Sequence, residues 1–101
     1  MIITVETYGP IAIIHLSGNV DYSTQQEIQD ANRTALIADQ VREIHIDFAD
    51  VTFMDSSLIR ALLILQRETD AEGKSLVLLN CNDYMRGVFE IGGFDKLFTF
   101  G

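Results

Sequence analysis

The amino-acid sequence predicts one α/β domain over residues 1–101, with a mixed β-sheet of four to five strands and three to four helices mainly on one face. Three observations lead to this fold class. The chain starts with two apolar segments separated by a short Gly-Pro turn, which predicts an antiparallel hairpin. Helical and strand periodicities then alternate in the order β-β-α-β-α-β-α, which implies a mixed sheet. A length of 101 residues fits a single domain.

The predicted hairpin joins a strand at residues 2–6 to a strand at residues 11–17. Both segments are rich in isoleucine, and residues 8–10 read Tyr-Gly-Pro, which is typical of a turn. We expect the second strand to end at residues 18–21, which read Gly-Asn-Val-Asp.

A first helix is predicted at about residues 24–39. Ser23 and Thr24 stand at its start, and each has a capping-box partner three residues later, Gln26 and Glu27 respectively. Apolar side chains recur at helical spacing through the rest of the segment.

Residues 43–48 alternate between polar and apolar side chains, which predicts a strand with one face on the core. This strand gives way to a short polar turn, and the turn opens into a very apolar helix at about residues 57–72. Gly73 stands where the end of a helix favours a residue in the left-handed conformation.

The last third of the chain completes the predicted sheet. Residues 75–79 read as a strand, and Asn82 or Asp83 can cap a short helix over residues 84–91. The apolar tail at residues 94–100 is expected to pack back on the domain and is a candidate for a last short strand.

Charge and composition exclude several classes of partner. The chain has 15 acidic and 7 basic residues and a formal charge of −8, which repels nucleic acids and anionic membranes. No apolar run approaches the ~20 residues that span a bilayer, and we expect no signal peptide. The single cysteine, Cys81, is expected to be buried and unreactive, and a chain without a disulfide framework fits the cytoplasm.

The sequence offers little to an enzyme mechanism. His15 and His45 lie within predicted strands, and no HExxH, CxxC, GxSxG or glycine-rich phosphate loop is present. Spacing alone leaves open a triad of Ser56, His45 and an aspartate, but nothing supplies an oxyanion hole. We therefore expect no catalytic activity, no cofactor and no metal site.

Asp55, Ser56 and Ser57 form the junction at the start of the apolar helix. Hydroxyl side chains at this position can cap free backbone N–H groups. The same free N–H groups and the helix dipole also favour a phosphate. Both interpretations, capping and phosphorylation, are open from these residues.

The apolar helix has two distinct faces. At 100° per residue one arc faces the sheet and is formed by Leu58, Ala61, Leu62 and Leu65. Arg60 and Arg67 point away from it, with Leu63 and Ile64 on the flanks. If neighbouring helices leave them uncovered, these four residues form a docking patch for a partner helix or loop.

Three segments resemble a known family, the single-domain anti-sigma-factor antagonists of the STAS (sulphate transporter and anti-sigma antagonist) class. Residues 18–21 followed by Ser23 are similar to a family segment that precedes the first helix. Residues 50–57 are similar to the phosphorylation-site loop of the family. Residues 89–94 and 96–98 are similar to its C-terminal segment, so the resemblance covers nearly the whole chain.

The resemblance implies the STAS fold and a function by partner switching. The unphosphorylated protein would bind an anti-sigma factor that is itself a serine kinase, and phosphorylation would release it. A PP2C-type phosphatase would reverse the modification, and the protein would be a monomer. By position the phosphorylated residue would be Ser56, with Ser57 as the minor alternative. Together with the docking patch, the resemblance predicts a partner-binding surface formed by Asp21, Ser23, Asp55, Ser57, Leu58, Arg60, Leu63, Ile64 and Arg67.

Two residues depart from the family pattern. Leu58 stands where the family usually has glycine, and Asn19 stands where it usually has glutamate. An alternative function is therefore a STAS binding module without phosphorylation, docked on a transporter ATPase or a signalling complex. In that case Ser56 and Ser57 would only be helix caps.

Overall fold

A computed structural model describes residues 2–101, with only the backbone of Tyr22 included. Five strands, three α-helices and one 3₁₀ turn follow one another along the chain. Their bounds are β1 Ile2–Tyr8, β2 Ile11–Val20, the 3₁₀ turn Tyr22–Thr24, α1 Gln25–Leu36, β3 Glu43–Met54, α2 Ser56–Ala71, β4 Ser75–Leu79, α3 Asp83–Ile91 and β5 Thr99–Phe100. Within residues 2–101, no helix combines the length and the apolar character that crossing a membrane requires.

The strands form one mixed sheet in the order β1-β2-β3-β4-β5. β1 pairs with β2 in antiparallel fashion, and every later neighbour is parallel. Each helix therefore connects two adjacent parallel strands, and connections of this kind have the same right-handed sense. Each crossover leads to the next strand in the same direction across the sheet. The three helices therefore lie on the same face, as the sequence predicted.

A single hydrophobic core lies between the sheet and the helices. Alternate residues of β2 and β3 enter it, and all three helices contribute fully buried side chains. Phe48, Phe89, Ile28, Leu62 and Met85 are among the largest fully buried side chains of this core. The alternation in the first half of β3 is the reason that the sequence identified this strand.

Both central strands are longer than predicted. β2 continues to Val20 and β3 to Met54, where the sequence indicated a turn. The register between them shifts twice in this part, so the inward-facing positions move from Phe48 to Val51 and then to Met54. Bulges of this kind break the two-residue period, which is why the alternation appeared to end at residue 48.

α1 is shorter than predicted, and the predicted capping boxes do not form. Thr24 is the N-cap residue, but its hydroxyl makes no cap hydrogen bond. Instead it donates to the backbone oxygen of Asp21 at 2.8 Å. At the other end the helix stops at Leu36, whose carbonyl accepts a hydrogen bond from Lys74 Nζ at 2.7 Å.

The later elements agree closely with the sequence. Gly73 follows α2 with φ +69°, the left-handed conformation expected there. Asn82 caps α3 by accepting a hydrogen bond from Met85 N at 2.9 Å. The last strand is only two residues long and pairs with β4.

Candidate functional site

The candidate site lies at the carboxyl ends of β2 and β3. Val20 and Met54 are paired in the parallel register, so the segments that leave the two strands start side by side. Asp21 follows the first strand and Asp55 follows the second. Because adjacent parallel strands end at the same edge of a sheet, two parts of the chain distant in sequence meet here.

Asp55 caps the N-terminus of α2. Its Oδ1 accepts a hydrogen bond from the backbone nitrogen of Ser57 at 2.8 Å and another from the Ser57 hydroxyl. The sequence left capping by the serine hydroxyls open, and in the structure the capping side chain is Asp55 instead. A carboxylate is the better acceptor here because it also interacts favourably with the positive end of the helix dipole.

Ser56 is the first residue of α2, and it is exposed. Ser57 is half-buried, and its hydroxyl donates a hydrogen bond to Asp55. Within residues 2–101, the hydroxyl of Ser56 has no side-chain hydrogen bond to another residue. Of the two neighbouring serines, Ser56 therefore presents its hydroxyl to solvent.

Asp21 and Ser23 repeat the arrangement of Asp55 and Ser57. The Oδ1 atom of Asp21 accepts from the backbone nitrogen of Ser23 at 3.0 Å and from its hydroxyl at 2.5 Å. The hydrogen bond from the Ser23 side chain lowers the pKa of Asp21 below its usual value. The two Asp-x-Ser turns thus place two carboxylate side chains at one edge of the sheet.

Leu58 does not contribute to a surface. Its side chain is 1% exposed and belongs to the hydrophobic core. The prediction that Leu58 contacts a partner was therefore wrong, and the reason is helical geometry. Two residues after Ser56, the α2 backbone has turned this side chain toward the sheet.

The rest of the predicted docking patch is partly available. Arg60 and Arg67 are exposed, and Leu63 and Ile64 are half-buried. Leu63 packs against the core, so much of its surface is already covered. Arg60, Ile64 and Arg67 are the members of the patch that do not belong to the core cluster.

One apolar side chain near the site was missed. Phe53 is 51% exposed, two residues before Asp55. The sequence interpretation counted it only with the loop at residues 50–57, whereas it lies in β3, whose bulges turn it outward. Beside it, Thr52 donates a hydrogen bond to Asn19 Oδ1 at 3.0 Å, which joins the ends of β3 and β2. Asn19, which stands where the family usually has glutamate, therefore links the two strands.

A polar cavity of about 390 Å³ adjoins the site. It is lined by Ser23, Gln25, Gln26, Gln29 and Arg60. The first four residues belong to the start of α1 and the turn before it, and Arg60 belongs to α2. The cavity therefore lies between the N-terminal halves of the two helices.

The histidines lie on the sheet face opposite the helices. His15 Nδ1 is 2.9 Å from Asp47 Oδ2, and the same carboxylate accepts from Asn80 Nδ2 at 2.8 Å. His45 lies 3.4 Å from Glu43. Within the described residues, no three histidine, cysteine or acidic side chains are placed to hold a metal ion. Burial raises the pKa of the Cys81 thiol to about 11, which keeps it protonated at neutral pH.

Comparison with known proteins extends the resemblance noted above. A STAS-domain-containing protein of Pseudomonas aeruginosa is 29% identical over 90 residues, which cover 89% of this chain and 87% of that protein. An anti-sigma F factor antagonist of Lysinibacillus sphaericus is 31% identical over 81 residues, covering 80% of this chain and 69% of that protein.

Solved structures give the same picture. The anti-sigma factor antagonist SpoIIAA in its unphosphorylated form is 28% identical, with a TM-score of 0.76, and the match covers 99% of this chain and 87% of that one. The phosphorylated form of SpoIIAA from Bacillus has a TM-score of 0.75 at 28% identity, covering 99% and 91%. A model of the STAS domain family matches residues 3–101. This protein therefore belongs to the STAS domain family, in which its relatives include anti-sigma factor antagonists.

Proposed function

We propose that this protein is an anti-sigma factor antagonist that acts by partner switching. In its unphosphorylated form it binds an anti-sigma factor that is also a serine kinase. Phosphorylation of Ser56 releases that partner, and a PP2C-type phosphatase restores the binding form. The protein acts as a monomer in the cytoplasm and is a binding module, not an enzyme. Its relatives named as anti-sigma factor antagonists support this function.

The observation that carries the proposal is the difference between the two serines at the start of α2. Ser56 is exposed, whereas the hydroxyl of Ser57 is held by Asp55. A kinase needs an accessible hydroxyl that is not committed to another bond. Ser56 meets this requirement, and modifying it leaves the Asp55 cap in place.

A phosphate on Ser56 would change the interface more than the fold. It adds about −1.5 to −2 charges and three acceptor oxygens at a helix N-terminus, where negative charge is tolerated. The phosphorylated and unphosphorylated structures of SpoIIAA resemble this chain about equally, which supports a modification without refolding. Against a partner shaped for a neutral serine, the same group introduces repulsion and a cost of desolvation.

The switch requires a large difference in partner affinity between the phosphorylated and unphosphorylated forms. A switch from mostly bound to mostly free needs about a 10⁴-fold difference in affinity, or ~5.5 kcal/mol. A doubly charged group that enters an interface where the partner offers no cation can supply much of this, because desolvation of charge is among the largest penalties in proteins.

The binding surface in this proposal surrounds Ser56. Arg60, Ile64 and Arg67 extend it along α2, and Phe53 adds an exposed aromatic side chain. Large apolar and arginine side chains are enriched at protein interfaces. The surface is completed at the edge of the sheet by Asp21, Ser23, Asp55 and Ser57.

The test uses a candidate anti-sigma kinase from the same genome, chosen by gene neighbourhood where one is present, with ATP. Mass spectrometry should place one phosphate on Ser56. We expect Ser56→Ala to retain binding to the kinase and Ser56→Asp to lose it, measured by calorimetry. The matched control is Ser75, an exposed serine that starts β4 at the opposite end of the parallel strands. Ser75→Asp should bind normally.

The same experiment separates phosphorylation control from the alternative STAS module. Equal binding by Ser56→Ala and Ser56→Asp, with no phosphate found, would show that the serines serve only the start of the helix. Phosphate on Ser57 instead would move the switch to the neighbouring residue and contradict the proposal.

A further inference from the structure

Arg60 is placed to interact with a group attached to Ser56. The two residues lie four positions apart on α2, and both are exposed. Side chains at positions i and i+4 of a helix are neighbours on one face, with a rise of about 6 Å between them. Among the salt bridges of residues 2–101, none involves Arg60. Its guanidinium group is therefore available.

The cavity beside Arg60 is unusual for so acidic a chain. The chain carries 15 acidic residues, yet none of them lines this cavity. The lining residues are three glutamines, Ser23 and Arg60, and Arg60 is the charged one among them. An uncharged polar wall with one cation favours an anion over a cation or an apolar group.

Some of these lining groups already have partners. Gln26 Nε2 donates to Asp30 at 2.9 Å, and the Ser23 hydroxyl donates to Asp21. Gln25, Gln29 and Arg60 remain as donors toward the cavity. Of these, Arg60 carries the charge and dominates the attraction for an anion.

We propose that the phosphate on Ser56 is held within its own domain by Arg60, at the mouth of this cavity. The inference rests on the proposed function for the presence of the phosphate. A guanidinium group binds a phosphate through two parallel hydrogen bonds. A covalently attached phosphate also competes at high effective concentration against any acidic group from a partner.

In this arrangement phosphorylation weakens binding of the partner in two ways. The phosphate adds negative charge beside Asp55, and it also withdraws Arg60 from the surface that the partner contacts. The partner therefore loses an attractive cation at the same step that introduces repulsion. Arg67 remains available in both forms, since it lies 11 residues from Ser56, about 16 Å along the helix.

The test places phosphoserine at position 56 by genetic encoding, so that no kinase is needed. The second ionisation of the phosphate is followed by ³¹P NMR against pH, at low salt, in four proteins. These are the otherwise unchanged chain, Arg60→Gln, Arg60→Lys and the control Arg67→Gln. Both arginines are exposed on the same helix, so all four proteins should fold, which circular dichroism checks.

We expect the phosphate pKa in Arg60→Gln to lie above that of the unchanged chain by about 0.3 units or more, because an adjacent cation stabilises the dianion. Arg67→Gln should match the unchanged chain, and Arg60→Lys should fall between the two. The difference should shrink in 0.5 M salt. Asp55 raises the phosphate pKa in all four proteins, so it does not affect the comparison.

Equal titration of the unchanged chain and Arg60→Gln would overturn the inference, as would an equal shift in Arg67→Gln. The result is independent of the proposed switch. A kinase that ignores Ser56 would refute the proposed function while this titration still measured the contact. Conversely, a working switch with equal titrations would refute only the role of Arg60.

Discussion

At the level of single residues, two aspartates form the same hydrogen-bonded turn at the two strand ends. Asp21 and Asp55 each accept hydrogen bonds from the backbone and the hydroxyl of the serine two positions later. Each turn satisfies a free N–H group near the start of a helical segment. The consequence at the second turn is that the first residue of the helix, Ser56, stays free for modification.

Leu58 is the residue at which two sequence predictions conflicted, because helical periodicity turned it toward the sheet while the predicted partner-binding surface included it. It is buried in the core, so Leu58→Ala should lower the free energy of unfolding by about 2–5 kcal/mol. Urea denaturation measures this change. Ile91→Ala is the control, because Ile91 is 91% exposed and its truncation should cost little. A stable Leu58→Ala with lost partner binding would return this residue to the interface.

At the level of secondary-structure elements, the two flanks of α2 differ. Leu63 packs against the core, whereas Ile64 is half-buried and lies outside that cluster. We expect Ile64→Asp to weaken binding of the anti-sigma partner at least tenfold with little change in stability. Leu63→Asp should instead lower the unfolding temperature, since it places a charge against apolar side chains. Calorimetry and thermal unfolding distinguish the two effects.

Two outcomes would contradict this assignment. Normal binding by Ile64→Asp would remove this flank from the interface. Normal stability of Leu63→Asp would show that the core tolerates a charge there, as an exposed position does.

The bulges of β3 account for the part of this strand that the sequence did not predict. The period of two in β3 identifies residues 43–48 as a strand but ends where the bulges begin. A bulge depends on how the neighbouring strand is paired, and pairing is not encoded in the period of one segment. Phe53 was missed for this reason, because its exposure follows from the shifted register.

At the level of the whole molecule, Asp47 connects three strands. Its carboxylate accepts hydrogen bonds from Asn80 after β4 and from Ala49 N in β3, and it contacts His15 of β2. Burial opposes ionisation, but these hydrogen bonds outweigh it and lower the pKa of Asp47. A group with a lowered folded-state pKa stabilises the fold above its unfolded pKa of about 3.9, and this contribution disappears as pH falls through the folded value.

Replacement of Asp47 should therefore have an effect that depends on pH. Asp47→Asn should cost about 1–2 kcal/mol of unfolding free energy between pH 5 and pH 7, and less near pH 3. Urea denaturation at several pH values tests this. Asp39→Asn is the control, because Asp39 is exposed. A cost that is independent of pH would mean that the charge of Asp47 contributes nothing to stability.

The sequence by itself determined the fold class, the order of the elements and the segment that carries the candidate site. These follow from periodicity, turn residues and local motifs, which act over a few neighbouring positions. The tertiary structure decided that Phe53 is exposed and that Arg60 borders a polar cavity. Each of these depends on strand register or on the packing of one helix against another, and those contacts join residues far apart in the chain.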